Sequence, residues 1–133
     1  MSKLPKRYTA FIENYPDIGA AYAALGKAVS NSGPLDAKTR ELIKIGIAIA
    51  GSQEGGTHSH ARKALDAGAT PEELRHAALQ ALTTIGFPNM MKGLSWVEDV
   101  IGEHEEERVQ GDRLPEHSDE PFPPSQNPNE IVD

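Results

Sequence analysis

There is no cysteine among the 133 residues of this chain. Its absence rules out a disulfide framework, a thiolate nucleophile and a thiolate metal site, and it fits a reducing compartment. Any catalysis must therefore run on acid/base groups or a bound metal. Long apolar runs are missing as well. The longest, around residues 45–50, is far too short to cross a bilayer, and no charged-then-apolar leader opens the sequence. The expectation is a soluble, cytoplasmic protein without a membrane partner. A basic stripe is the third absence. Residues 1–102 hold 11 Lys/Arg against 10 Asp/Glu, whereas residues 103–133 hold 2 against 10. The net charge of −7 thus lies in the tail. A near-neutral body followed by an acidic tail argues against nucleic acid as a partner.

What is present is helical. No strand ladder and no internal repeat can be read, and about six helices follow one another. The first, near residues 6–13, stops before Tyr15-Pro16, because a residue preceding proline avoids the helical region. Pro16 suits the first turn of the second, which runs to about residue 30 with a small-residue face of Ala20, Ala21, Ala23, Ala24, Leu25 and Ala28. Asn31-Ser32-Gly33-Pro34 breaks the chain. Asp36 then caps a third helix over 37–50, whose second half (Leu42, Ile43, Ile45, Ile47, Ile49) is apolar nearly all round. Such a helix is expected to be buried on most sides, within the domain or against another subunit.

The fourth helix is placed at 54–67, closed by Gly68. Thr70-Pro71-Glu72-Glu73 is a capping box and opens the fifth, which carries Leu74, Ala77, Ala78, Ala81, Leu82 and Ile85 up to Gly86. A sixth begins at Pro88, bears Met91, Leu94, Trp96, Val97, Val100 and Ile101, and is expected to fade in the acidic run 103–107. The division is therefore a helical domain over 1–110 and an acidic tail over 111–133. That tail has five prolines and little to bury except Phe122, Ile131 and Val132.

Chemistry concentrates between the third and fourth helices. His58 and His60 stand about 200° apart on a helix of 3.6 residues per turn, so they cannot share one metal from a regular helix. A metal would need a loop here, with Glu41, Glu54 or His76 completing the ligands. The reading adopted has no metal and no cofactor. The blander alternative packs one histidine on the core side and leaves the other solvated. Glu41 and His60 make a sharper pair, because the tight Gly51-Ser52-Gln53 turn should set the two helices antiparallel. A carboxylate bonded to an imidazole fixes its tautomer for general acid/base work. Against this, Glu41 could pair with Lys38 or Lys44 on its own helix. Gly55-Gly56-Thr57 offers backbone amides at a helix start, a seat for a carboxylate or enolate oxygen. A glycine pair also simply permits a turn or a close approach. His76, His104 and His117 are expected on the surface.

Several blocks occur in order: Thr39-Arg40-Glu41-Leu42-Ile43, Gly51, His60, Ala64-Leu65-Asp66-Ala67-Gly68-Ala69-Thr70-Pro71-Glu72-Glu73-Leu74 and Gly86-Phe87-Pro88. Over residues 15–102 the chain resembles the carboxymuconolactone decarboxylase family, which includes alkylhydroperoxidase D. The resemblance implies an alkylhydroperoxidase D-like, all-α helical array and a homo-oligomer, trimer or hexamer. The apolar third helix and small-residue second helix ask for extra burial independently. In the peroxidase branch a Cys-x-x-Cys pair begins twelve residues after a glutamate, with a histidine four residues after the second cysteine. Counted from Glu41, the cysteine positions fall on Gln53 and Gly56, and the histidine on His60. With both thiols missing, thiol-based peroxide reduction is chemically excluded.

The decarboxylase branch needs no cysteine. The resemblance implies loss of CO2 from a carboxylated lactone of the protocatechuate pathway, with the resulting dienolate stabilised and protonated. His60 would deliver the proton, Glu41 would orient it, and the amides near Gly56 would stabilise the anion. Gln53 and His58 join Gly56 as candidate substrate contacts, and Arg62 or Arg75 is a candidate bidentate partner for a substrate carboxylate. The leading expectation is acid/base decarboxylation or related lyase chemistry on a small-molecule lactone or carboxylate. The alternatives are a non-catalytic oligomeric module with a partner-docking tail and, behind it, a peroxidase-like redox member lacking the Cys pair.

Overall fold

The computed structural model describes residues 6–112. Seven helices follow in order: α1 (Lys6–Asn14), α2 (Pro16–Ser30), α3 (Ala37–Ala50), α4 (Glu54–Asp66), α5 (Pro71–Leu79), α6 (Leu82–Ile85) and α7 (Phe87–Asp112). No strand occurs among the described residues, and no helix in them is long and apolar enough to cross a membrane. The all-α expectation holds. The tail beyond residue 112, with His117, Phe122, Ile131 and Val132, lies outside the described residues.

The helix starts follow from local chemistry. Asp36 accepts the Thr39 N–H at 2.8 Å and so caps α3. Thr70 and Glu73 form a reciprocal box at the start of α5, each side chain accepting the other's backbone N–H at 3.1 Å. Gly68, at φ +96°, takes the left-handed conformation that ends α4. Ser52 is the one non-glycine residue described with positive φ, at 52°, in the turn between α3 and α4. Lys92 reaches across from α7 and donates to its hydroxyl at 2.8 Å.

Two boundaries differ from expectation. The fifth helix is interrupted after Leu79, leaving a single turn as α6. There the Gln80 amide donates to the His76 carbonyl and the Thr84 hydroxyl to the Gln80 carbonyl, so side chains compete for helix acceptors. Backbone bonds in the same stretch tighten to three-residue spacing, from Ala81 to Ala78 and from Thr84 to Ala81. The last helix does not fade in the acidic run; it continues to Asp112. Glutamate is a good helix former, and Arg62 takes up the charge of Glu103 at 3.3 Å.

The core lies where α3, α4, α5 and α7 meet. Ile45 and Ile49 of α3, Ala61 and Ala64 of α4, Leu74 and Ala78 of α5, and Val97, Val100 and Ile101 of α7 are buried together. Each large aliphatic group removed from water there contributes about 1.5–3 kcal/mol. On α7 the buried methionine is Met90, while Met91 faces out. Gly93 sets how closely α7 can approach α3, since a Cβ at that position would lie 2.5 Å from Cγ2 of Ile49. Two expectations of burial are met only in part. Ile43 and Ile47 of α3 are 47% and 65% exposed, and α2 packs on α1 with nearly its whole surface open.

Candidate functional site

The register of α3 against α4 is set at their shared turn. Gly56 lies in the first turn of α4 against Ala48 of α3. A Cβ there would sit 3.1 Å from Gln53 Oε1 and 3.5 Å from the Ala48 side chain, so glycine allows the close approach. One helical turn beyond Gly56, on the same side of α4, comes His60. Two turns before Ala48, on the same side of α3, comes Glu41. The short turn therefore delivers an acid and an imidazole to the same level of two antiparallel helices.

They meet. His60 Nδ1 lies 2.7 Å from Glu41 Oε2, with the two side chains 26% and 16% exposed. Lys44 stands farther off, 3.9 Å from the other Glu41 oxygen, and Lys38 is drawn away to Glu73 at 3.1 Å. Of the competing expectations for Glu41, the cross-helix bond prevails, with Lys44 as a secondary neighbour. A carboxylate accepts only, so the bond places a proton on Nδ1 and leaves Nε2 as the nitrogen open to a reactant.

Next to this pair is the start of α4. The first backbone bond into the helix runs from the Thr57 N–H to the Gln53 carbonyl at 2.9 Å. The amides of Gly55 and Gly56 precede that bond, and Gln53 supplies no side-chain cap to them. Gln53 instead folds back between Gly51 and Gly56. These amides carry the positive end of the helix dipole.

The other expected site residues separate from this group. His58 turns to α7, its Nε2 lying 3.1 Å from Asp99 Oδ2. One turn on, Arg62 meets Glu103 at 3.3 Å, so the two pairs form a seam between α4 and α7. Arg75 is held on one side by Glu98 at 2.6 Å and on the other by Glu72 at 2.5 Å, and these carboxylates hold its guanidinium pKa above the usual arginine range. His76 is exposed on α5, and His104 on α7.

Glu54 and His58, both raised above as possible metal ligands, gather with Asp99, which the sequence did not indicate. One donor atom from each lies within 4.8 Å of the others, a set able to hold a divalent cation, with the two carboxylates exposed. Glu54 and His58 carried a signal, the i,i+4 spacing on one helix. Asp99 did not, because only the crossing of α4 and α7 brings it there. The two histidines of the His58-Ser59-His60 segment thus serve different helices, as their angular separation requires.

Comparison with known proteins agrees with the fold. Residues 16–99 match the model of the carboxymuconolactone decarboxylase family. An uncharacterised protein of Haemophilus influenzae is 38% identical over 63 residues, which is 47% of this chain and 56% of that one. An uncharacterised 15.0 kDa protein of Paracoccus denitrificans, from the nqo9–nqo10 intergenic region, is 39% identical over 84 residues, 62% of each chain. The match thus spans less than two thirds of either relative. Among solved structures, a carboxymuconolactone decarboxylase family protein from Legionella pneumophila superposes with a TM-score of 0.65 at 27% identity, covering 72% of this chain and 86% of that one. A candidate carboxymuconolactone decarboxylase from Burkholderia xenovorans gives 0.63 at 21%, with 84% and 86% covered, and speaks for the fold alone. The chain belongs to the carboxymuconolactone decarboxylase family.

Proposed function

We propose that the chain is a cofactor-independent acid/base decarboxylase or related lyase acting on a small lactone that carries a carboxylate. The observation that carries this reading is the 2.7 Å bond between His60 Nδ1 and Glu41 Oε2 in a partly exposed setting. It fixes the orientation of one partly exposed imidazole through Nδ1, one helical turn from the glycine-bearing start of α4. Thiol peroxidase chemistry has no support, because the sequence contains no cysteine.

The step balances without a co-reactant. The bond between the carboxylate carbon and the ring carbon breaks, CO2 departs, and the electron pair enters the conjugated lactone as a dienolate. The amides of Gly55 and Gly56 stabilise the developing oxyanion, with Gln53 alongside. The imidazolium of His60 gives its Nε2 proton to the ring carbon and is reprotonated from water. Glu41 is a positioning residue that holds the ring and its Nδ1 proton.

The test is ultraviolet-monitored turnover of carboxymuconolactone and related carboxylated lactones by the purified protein. The expected result is turnover that falls at least about 100-fold in His60→Ala, the scale of a lost general acid. Equal rates for wild type and His60→Ala would remove the basis of the proposal.

A further inference from the structure

Two carboxylates without a basic partner face one imidazole where α4 crosses α7. Glu54 opens α4, His58 follows one turn later on the same side, and Asp99 comes from α7. One donor atom from each lies within 4.8 Å of the other two, and His58 Nε2 is 3.1 Å from Asp99 Oδ2. Among the described residues no lysine or arginine pairs with Glu54 or Asp99. The basic side chains nearest along the two helices are engaged elsewhere, Arg62 with Glu103 at 3.3 Å and Lys92 with the Ser52 hydroxyl at 2.8 Å. The helix dipole favours an acid at the position of Glu54, and His58 holds Asp99 in place. With a neutral imidazole, however, the group gathers two negative charges at one point.

We propose that Glu54, His58 and Asp99 form a site for a first-row divalent cation, with zinc as its probe, that joins the start of α4 to α7. One imidazole nitrogen and two carboxylate oxygens are a donor set such ions accept, whereas magnesium and calcium take oxygen donors. Metal–donor bonds of about 2.0–2.2 Å place the donors roughly 3–3.5 Å apart, so the group has to close by about 1–2 Å. Asp99 is 59% exposed and Glu54 lies at the surface, so both can turn inward, while His58 is already aimed at Asp99. Three protein ligands leave the remaining coordination to water. The cation would replace an exposed ion pair with bonds to both helices and stabilise the folded chain by linkage. This site is separate from the Glu41–His60 pair, because His58 and His60 project about 200° apart around α4. The proposal stands independently of the acid/base reading.

The test uses the full chain without an affinity tag, stripped with a chelator and titrated calorimetrically with zinc chloride. The expected result is one zinc bound per chain, with affinity at least about tenfold weaker in Asp99→Asn and in His58→Gln. Zinc at about 100 times its Kd should raise the wild-type unfolding midpoint by about 5–10 °C, and that of Asp99→Asn by much less. Neither position is buried, so both variants should fold, and circular dichroism checks their helicity. The acidic C-terminal stretch is the competing location, since His104 and His117 stand among its carboxylates. Binding that persists undiminished in Asp99→Asn and His58→Gln, or that disappears in His104→Gln/His117→Gln, overturns the proposal. So does an absence of zinc binding, or binding that leaves the wild-type midpoint unchanged.

Discussion

Glu41 and His60, nineteen positions apart, are joined by a 2.7 Å bond across two helices that a three-residue turn folds together. The bond makes Glu41 a determinant of which imidazole nitrogen bears the proton. Glutamine at position 41 has no charge to hold the imidazolium that donates from Nε2, and its amide can donate to Nδ1 and leave the ring neutral. Glu41→Gln is therefore expected to lower kcat about 10–100-fold with KM little changed. The ¹⁵N chemical shifts of His60 should report the change in ring protonation in the same sample. A rate loss with unchanged shifts would mean that Glu41 does not act through the ring. Lys44→Met, which leaves the 2.7 Å bond in place, should alter kcat far less.

Gly93 and Gly102 lie on the same helix and should respond oppositely to alanine. At Gly102 an added Cβ meets nothing within 4 Å, so helix propensity alone acts and Gly102→Ala should stabilise by about 0.5–1 kcal/mol. At Gly93 the added carbon would sit 2.5 Å from Cγ2 and 2.7 Å from Cγ1 of Ile49, both in the core. Overpacking outweighs propensity there, and Gly93→Ala should cost about 1–3 kcal/mol in denaturant unfolding. In an Ile49→Ala background the penalty should largely vanish, since the obstructing atoms are gone.

These cases show where the sequence was readable. Asp36, Thr70-Glu73 and Gly68 act within a few residues, so caps and stops could be placed by their chemistry. The Glu41–His60 pair was reachable because a tight turn converts sequence distance into helical register. The break at Gln80 was not, because it depends on two side chains outcompeting backbone donors inside an otherwise regular pattern. Asp99 and Glu103 were invisible as partners of α4, being brought there only by the crossing of α7. The apolar character of α3 was read as general burial, whereas Ile43 and Ile47 remain on an open face of the single chain.

The caps also predict how the fold responds to acid. The Thr39 hydrogen bond lowers the Asp36 pKa from its ordinary 3.8, and the Thr70 backbone bond lowers that of Glu73 from 4.5. Because both folded-state values lie below the unfolded ones, their contribution is complete above the unfolded pKa values. It is lost as pH falls through the folded ones. Unfolding midpoints should therefore decline as pH drops from about 5 toward 2. Asp36→Asn keeps a good cap that does not titrate, so its midpoint should decline less steeply than that of the wild type. A parallel decline would assign the acid sensitivity to other groups.

The seam between α4 and α7 should be separable from the chemistry of the α3/α4 face. His58 with Asp99 and Arg62 with Glu103 lie one turn apart, and all four are at least one fifth exposed. Exposed pairs of this kind contribute about 0.2–1 kcal/mol each. Arg62→Glu should weaken the fold by that order, and Arg62→Glu/Glu103→Arg should recover part of the loss in a double-mutant cycle. His58→Ala should behave similarly in stability while leaving lactone turnover within a few-fold of wild type, unlike His60→Ala. The two histidines differ in the helix each faces, and this contrast tests whether that difference decides their roles. If His58→Ala abolished turnover with the fold intact, the reactive group would have to be sought on the α7 side, around Glu54 and Asp99.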